Sequence, residues 1–390
     1  MRFAVSRVRP LDQAMSEEDF AALVDSVGQA PGDRDLLLEL MHERHPIYRA
    51  RSGDATIRMR GYLMAAFETA GLPDAALLFV IEELESGRDA YLVAAAAKAL
   101  RGLDVPERRL VPFLFRAIEN IRYHDDMVTF ERIRPTWPAE TPTTALAEIF
   151  HTFAWVGPHA AYAFPRLKAL EADAGQWPVA TQTALARAIA AVQADGDLGQ
   201  SACCAAKGAR GFSDLGGGEI TDRDGEPPLS TRFEDQDRRI VKYGEFFTGH
   251  PTIVVFFYTR CTNPNKCSLT ITKLAVLQKA IADRGVAGKL GTAAISYDPD
   301  FDLAPRLRAY GENRSVTFDS HNRFLRATAG FHDVAGYFEL DVNYGPSTVN
   351  RHRIEAFVLD DAGRIAASFT RLQWDPAEVL ERAVAALSSN

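Results

Sequence analysis

The chain has 390 residues, a hydrophobic fraction of 47%, a charged fraction of 25% and a formal net charge of −8. That length allows two or three domains, and the composition is that of an ordinary globular protein. The acidic balance argues against an electrostatic nucleic-acid binder. No apolar run of about 18 residues occurs, so no transmembrane span or integral membrane segment is expected. The N-terminal stretch MRFAVSRVRPLDQAMSEEDF lacks the apolar core of a secretory signal. The expected location is therefore cytoplasmic.

Residues 1–198 read as an all-α array. Helical periodicity and turn signals predict helices over Glu17–Val27, Asp35–Glu43, Thr56–Thr69, Pro73–Ser86, Ala90–Arg101 and Glu107–Asn120. Three more are predicted over Thr143–Ala154, His159–Ala172 and Val179–Val192. Helices of this length without intervening strand signals fit a stacked, HEAT-like array. Its expected job is to dock a client protein. His42 and His45 in MHERHP are three apart and followed by proline, which reads as a polar helix end. His124, Asp125 and Asp126 fall in a charged, proline-rich loop from Arg122 to Pro142, where a solvated loop outweighs a metal site.

Residues 199–217 read as a flexible linker that carries Cys203 and Cys204. Adjacent cysteines rarely close a comfortable ring with each other. A soft-metal clip, a shuttle dithiol and an incidental pair all remain open.

From residue 218 to 390 strands and helices alternate, which predicts an α/β, thioredoxin-like domain. GEITDRDGEPPLS reads as a hairpin turning at Asp224-Gly225. The run Ile253–Tyr258 is apolar on both faces, as in a buried central strand. Cys261 follows it, then a turn with Asn263, Pro264 and Asn265, then Cys267. Ser268 or Thr270 is placed to cap a helix whose apolar face is Ile271, Leu274, Leu277 and Ile281. A helix N-terminus beside a thiol pair favours thiolate. Further strands are expected at Leu290–Ser296, Phe318–Leu325 and IEAFVLDDAGRIAAS, and WDPAEVLERAVAALSS reads as a closing amphipathic helix.

These residues resemble the SCO/SenC family: FFYTRC with its second cysteine, AISYDPDFD, and H-x7-D-x-x-G from His352 to Gly363. The likeness runs over roughly Gly218 to Ala386. The family comprises thioredoxin-fold proteins that deliver copper to cytochrome c oxidase and reduce disulfides. The resemblance implies a metallochaperone or thiol–disulfide site in which Cys261, Cys267 and His352 hold Cu(I) or Cu(II), with Cys261 and Cys267 as the redox pair. It also matches Asp298 and Asp302 to family acidic residues with a structural or redox-tuning role. Two thiolates and an imidazole suit copper. This chain places five residues between its cysteines where the family places three. In the redox version Cys261 attacks, Cys267 resolves, and Arg260 and Lys266 stabilise thiolate. The implied client is a copper acceptor or a disulfide-bearing protein. Two further readings stand beside this one: a thiol peroxidase that forms a sulfenic acid at Cys261, and a non-enzymatic interaction scaffold.

Overall fold

A computed structural model describes residues 11–28, 34–193 and 225–387. The linker cysteines Cys203 and Cys204, and the first half of the hairpin expected around Asp224, lie outside the described residues. The chain forms two compact units. One is bounded by Met1–Cys204 and also takes in Asn343–Arg351; the other comprises Ala205–Val342 and His352–Asn390. Among the described residues, no helix is long and apolar enough to cross a membrane.

The first unit is helical: α1 (Glu17–Gly28), α2 (Arg34–Leu40), α3 (Gly53–Ala70), α4 (Asp74–Ser86), α5 (Ala90–Ala99), α6 (Val111–Ile121), α7 (Ala145–Val156), α8 (Phe164–Ala169) and α9 (Val179–Gln193). Between α6 and α7 the short strands β1 (Met127–Val128) and β2 (Thr143–Thr144) pair antiparallel. Side-chain caps fix several starts: Ser52 accepts from Ala55 N, Asp89 from Leu92 N and Thr144 from Ala147 N. Packing runs between alternate helices, α1 on α3, α3 on α5, α5 on α7 and α7 on α9, with α4 on α6 beside them. Such stacking of every second helix makes a helical array. Small residues permit it. Ala94, Ala95, Ala96 and Ala97 of α5 are all fully buried, so the neighbouring helices approach closely.

Buried charge ties this array together. Arg60 and Glu43 are both almost fully buried and pair at 2.7 Å, while Arg60 also donates to Met41 O. Arg101 bridges Glu68 of α3 and Glu148 of α7 at 2.7 and 2.6 Å. The expected helix over His159–Ala172 is broken into α8 between 3-10 turns at Gly157–Ala163 and Leu170–Ala172. Pro158 and Pro165 fall at the starts of two of these pieces, where proline's missing N–H matters least.

The second unit is built on a seven-stranded sheet. Its strands are β3 (Arg232–Asp235), β4 (Ile240–Lys242), β5 (Thr252–Phe257), β6 (Gly291–Ser296), β7 (Asn322–Ala329), β10 (Glu355–Leu359) and β11 (Ile365–Thr370), in the spatial order β11-β10-β5-β6-β7-β3-β4. The short strands β8 (Val342–Tyr344) and β9 (Val349–His352) form a separate pair. Strands β5, β6 and β7 are parallel; β10 runs antiparallel to β5, and β3 to β7. The helices are α10 (Tyr243–Phe246), α11 (Leu269–Asp283), α12 (Ala304–Glu312), α13 (Phe331–Tyr337) and α14 (Pro376–Leu387). A βαβ unit beside a β-hairpin and a closing helix is the thioredoxin-like core.

Every residue of β5, β6 and β10 is buried, as their apolar runs require. Successive β5 side chains alternate faces. Phe256 meets Phe338 at a ring separation of 5.1 Å, and Phe257 meets Tyr310 of α12 at 5.4 Å. The β10–β11 turn needs glycine at its end: Gly363 has φ +75°, and a Cβ there would lie 3.0 Å from Phe247 O. Residues Gly225–Ser230 carry no strand, so the expected hairpin is absent from its described half; the hairpin is β3–β4 instead. Neither Ser268 nor Thr270 caps α11. Ser268 is already helical and makes no side-chain cap bond, because a wide turn over Pro264–Ser268 feeds directly into the helix.

Candidate metal and thiol site

Strand β5 delivers the chain to the site, and two aspartates hold it there. Asp302 is fully buried and accepts from Thr259 N at 3.1 Å, from the Thr259 hydroxyl, and from Ser296 Oγ at 2.6 Å. Burial raises its pKa, and the three donors work against that rise. Asp298 pairs with Arg260 at 2.5 Å, and the Arg260 guanidinium stacks 3.9 Å from the Phe301 ring centroid. Residues 259 and 260 are therefore fixed just before Cys261. The two aspartates act on the backbone and side chains that aim the loop.

The turn that follows is also pinned. Asn263 Oδ1 accepts from Asn265 N at 2.9 Å, and Lys266 N donates to Asn263 O at 3.2 Å. Lys266 leaves helical geometry (φ −113°, ψ −106°), which turns Cys267 inward. Cys267 is 1% exposed, while Cys261 is only partly buried. Both are free thiols.

His352 arrives at the end of β9. Its Nε2 lies 3.4 Å from Cys267 Sγ and 3.7 Å from Cys261 Sγ. Its Nδ1 is 2.8 Å from Arg353 O. A carbonyl only accepts, so Nδ1 carries a hydrogen, and Nε2 is the ring nitrogen that faces both sulfurs. The ring lies against Tyr297 and Tyr258 at centroid separations of 5.2 and 5.5 Å. The Tyr297 hydroxyl donates to the buried Glu355, which also accepts from Arg353 Nε at 2.6 Å and from Asp341 N at 3.0 Å. One staple joins the two arms: the buried Lys266 Nζ donates to His352 O at 2.9 Å.

The sulfurs are electrostatically unequal. A hydrogen bond from Cys267 holds the Cys261 thiol well below its ordinary range; burial opposes this, and His352 reinforces it. Burial pushes Cys267 far upward, and the neighbouring Cys261 charge adds to that. The partly exposed sulfur is thus the thiolate, and the enclosed one keeps its proton.

All three donor atoms lie within 4.8 Å of one another, and this is the one such Cys/His/carboxylate group among the described residues. Metal–sulfur bonds of about 2.3 Å and metal–imidazole bonds of about 2.0–2.1 Å place the ligands of a three-coordinate centre about 4 Å apart. The residues fit such an ion, and their softness fits copper.

Cys261, Cys267 and His352, the three residues singled out in the sequence, come together in the fold. Sequence reasoning assigned Lys266 to thiolate stabilisation and missed the staple to His352. It also missed Tyr297 and Glu355. The signal for Glu355 was a carboxylate inside the apolar strand IEAFVL, which must be partnered once buried. The other histidine motifs have local partners within the helical unit. His45 Nδ1 accepts from Ile47 N, and Asp125 accepts from Leu146 N at the start of α7.

Fold and site together define a thioredoxin-like domain with a Cys-x5-Cys pair closed by a distant histidine. Residues 227–388 match the SCO1/SenC family model, and the C-terminal region is of that family. No curated protein matches the chain. Among solved structures, a SCO1/SenC family lipoprotein from Bacillus anthracis is 21% identical, with 41% of this chain and 95% of that one covered and a TM-score of 0.35. Bradyrhizobium japonicum ScoI with copper bound is 23% identical, covering 40% and 95%, with a TM-score of 0.32. Yeast Sco1 with copper bound is 20% identical, covering 43% and 96%, with a TM-score of 0.32.

Proposed function

We propose that the C-terminal unit binds copper through Cys261, Cys267 and His352 and serves as a copper-handling protein. The observation that carries this reading is the convergence of two sulfurs on Nε2 of one buried imidazole whose Nδ1 faces the Arg353 carbonyl. Copper, where bound, is the cargo. The protein supplies a soft donor set, a fixed imidazole tautomer and one enclosed sulfur beside one reachable sulfur. X-ray absorption on the copper-loaded chain tests the set directly. Two sulfur scatterers and one imidazole nitrogen support it; a shell of oxygen and nitrogen alone overturns it.

The inequality of the sulfurs favours a thiol–disulfide activity as a second reading. Cys261 thiolate attacks a client disulfide, and a mixed disulfide forms as one client thiolate leaves. Cys267, giving up its proton, then attacks Cys261 Sγ and expels the second client thiolate. The client gains two electrons, and the pair becomes a disulfide. The helical unit, a HEAT-like array in this reading, docks that client or the copper acceptor.

A further inference from the structure

The three parallel strands have a second end. Cys261 follows the C-terminal end of β5, whereas His250 precedes its N-terminal end and His321 precedes that of β7. Strand β6 lies between β5 and β7 in the sheet, and its first residue is Gly291. The two imidazoles reach toward each other across that glycine. His321 Nδ1 lies 3.5 Å from His250 Nε2, and the rings meet edge-on with centroids 4.9 Å apart. A Cβ at Gly291 would sit 2.8 Å from His250 Nε2, so any larger residue would push into the space the imidazoles share.

We infer that His250 and His321 form a second metal site, for a borderline divalent cation such as Zn(II), Ni(II) or Cu(II). Imidazole is the side chain these ions share as a preferred ligand. With metal–nitrogen bonds of about 2.0–2.1 Å, two nitrogens 3.5 Å apart subtend an angle of about 115° at the ion, close to tetrahedral. Binding needs no loss of a proton from the neutral rings. Binding selects the tautomers with the hydrogen on His250 Nδ1 and on His321 Nε2, which present the two facing nitrogens as donors. Both side chains are half-buried, so water reaches the ion and fills its remaining positions. Six residues of β5 separate this end from the thiol end, roughly 20 Å at about 3.3 Å per residue. The two sites are therefore independent.

The test uses the full chain with Cys203, Cys204, Cys261 and Cys267 replaced by serine, so that thiols take no part. Zn(II) is titrated against a chromophoric chelator at neutral pH. One equivalent should bind, and His250→Gln or His321→Gln should each weaken it by more than about tenfold. The unaltered chain gives a second readout through imidazole 15N NMR. The second equivalent of Zn(II) should shift His250 Nε2 and His321 Nδ1 together. Zinc binding that ignores both substitutions, or a second equivalent that moves neither nitrogen, means the pair is a hydrogen bond only and overturns the site. Either outcome leaves the Cys261, Cys267 and His352 reading untouched, because the serine chain lacks the thiols and the NMR readout follows His250 and His321 alone.

Discussion

The two units use buried polar groups to different ends. In the helical unit, Arg60–Glu43 and Arg101 with Glu68 and Glu148 tie helix to helix, and their partners are other parts of the same scaffold. In the C-terminal unit, Asp302, Asp298, Lys266 and Glu355 surround one small volume and aim Cys261, Cys267 and His352 into it. Buried charge is costly in either place. In the first it secures packing; in the second it secures a geometry. Substitutions in the two units should therefore fail in different assays.

The largest effect belongs to the scaffold. Arg60→Met takes the guanidinium away from Glu43, and breaking a buried pair from one side costs about 3–5 kcal/mol. Chemical unfolding should register that loss, and copper stoichiometry at the thiol site should stay at one in the folded fraction. A variant of normal stability would show that the pair is not what holds the helices. Next comes the staple. Lys266→Met removes the donor to His352 O while keeping the aliphatic stem. Cu(I) affinity should fall by about 10–100-fold, as for other groups that orient a ligand. Lys266→Arg should restore part of it, and the unfolding midpoint should move less than in the Arg60 variant. Unchanged affinity in Lys266→Met would make the staple a packing detail.

The smallest effect is a pH dependence in the helical unit. Burial works to raise the Glu17 pKa, but hydrogen bonds from Arg58 and Arg134 overcome it and bring the value from 4.5 to about 2. A carboxyl depressed on folding stabilises the fold above its unfolded pKa. That contribution is lost as pH falls from about 4.5 toward about 2. Glu17→Gln should flatten stability across that window and leave it sloping in the parent. Equal slopes in both would refute the role given to Glu17.

The same contrast explains what was legible in the sequence. Helices of the first unit announce themselves through local signals: apolar spacing, Ser52 and Asp89 as caps, and glycine or proline between segments. Strand β5 announces itself by an apolar run without a polar face. Cys261, Cys267 and His352 were visible because their types and surroundings match a family pattern. What could not be read was their meeting. It depends on the register of β10 against β5, with Ala356 opposite Val255, and that pairing spans about a hundred residues of chain. Helix α13 was missed for a local reason: seven residues entered from Gly330 at φ +79° carry no side-chain cap to mark them. The wide turn at Pro264–Ser268 was missed because five residues between two cysteines fit many loops. Distant bonds help to select this one, Lys266 Nζ to His352 O and Gln373 Nε2 to Asn265 O.

The central claim is that one imidazole nitrogen completes a copper site with two sulfurs. Anaerobic titration of Cu(I) into the reduced chain, against a competing chelator and beside His352→Ala, tests it most directly. The account predicts tight one-to-one binding in the parent and a fall of about 100-fold or more in the variant, since a ligand should matter at least as much as the groups that orient it. Equal affinities in the two proteins, or only weak binding in the parent, would contradict it.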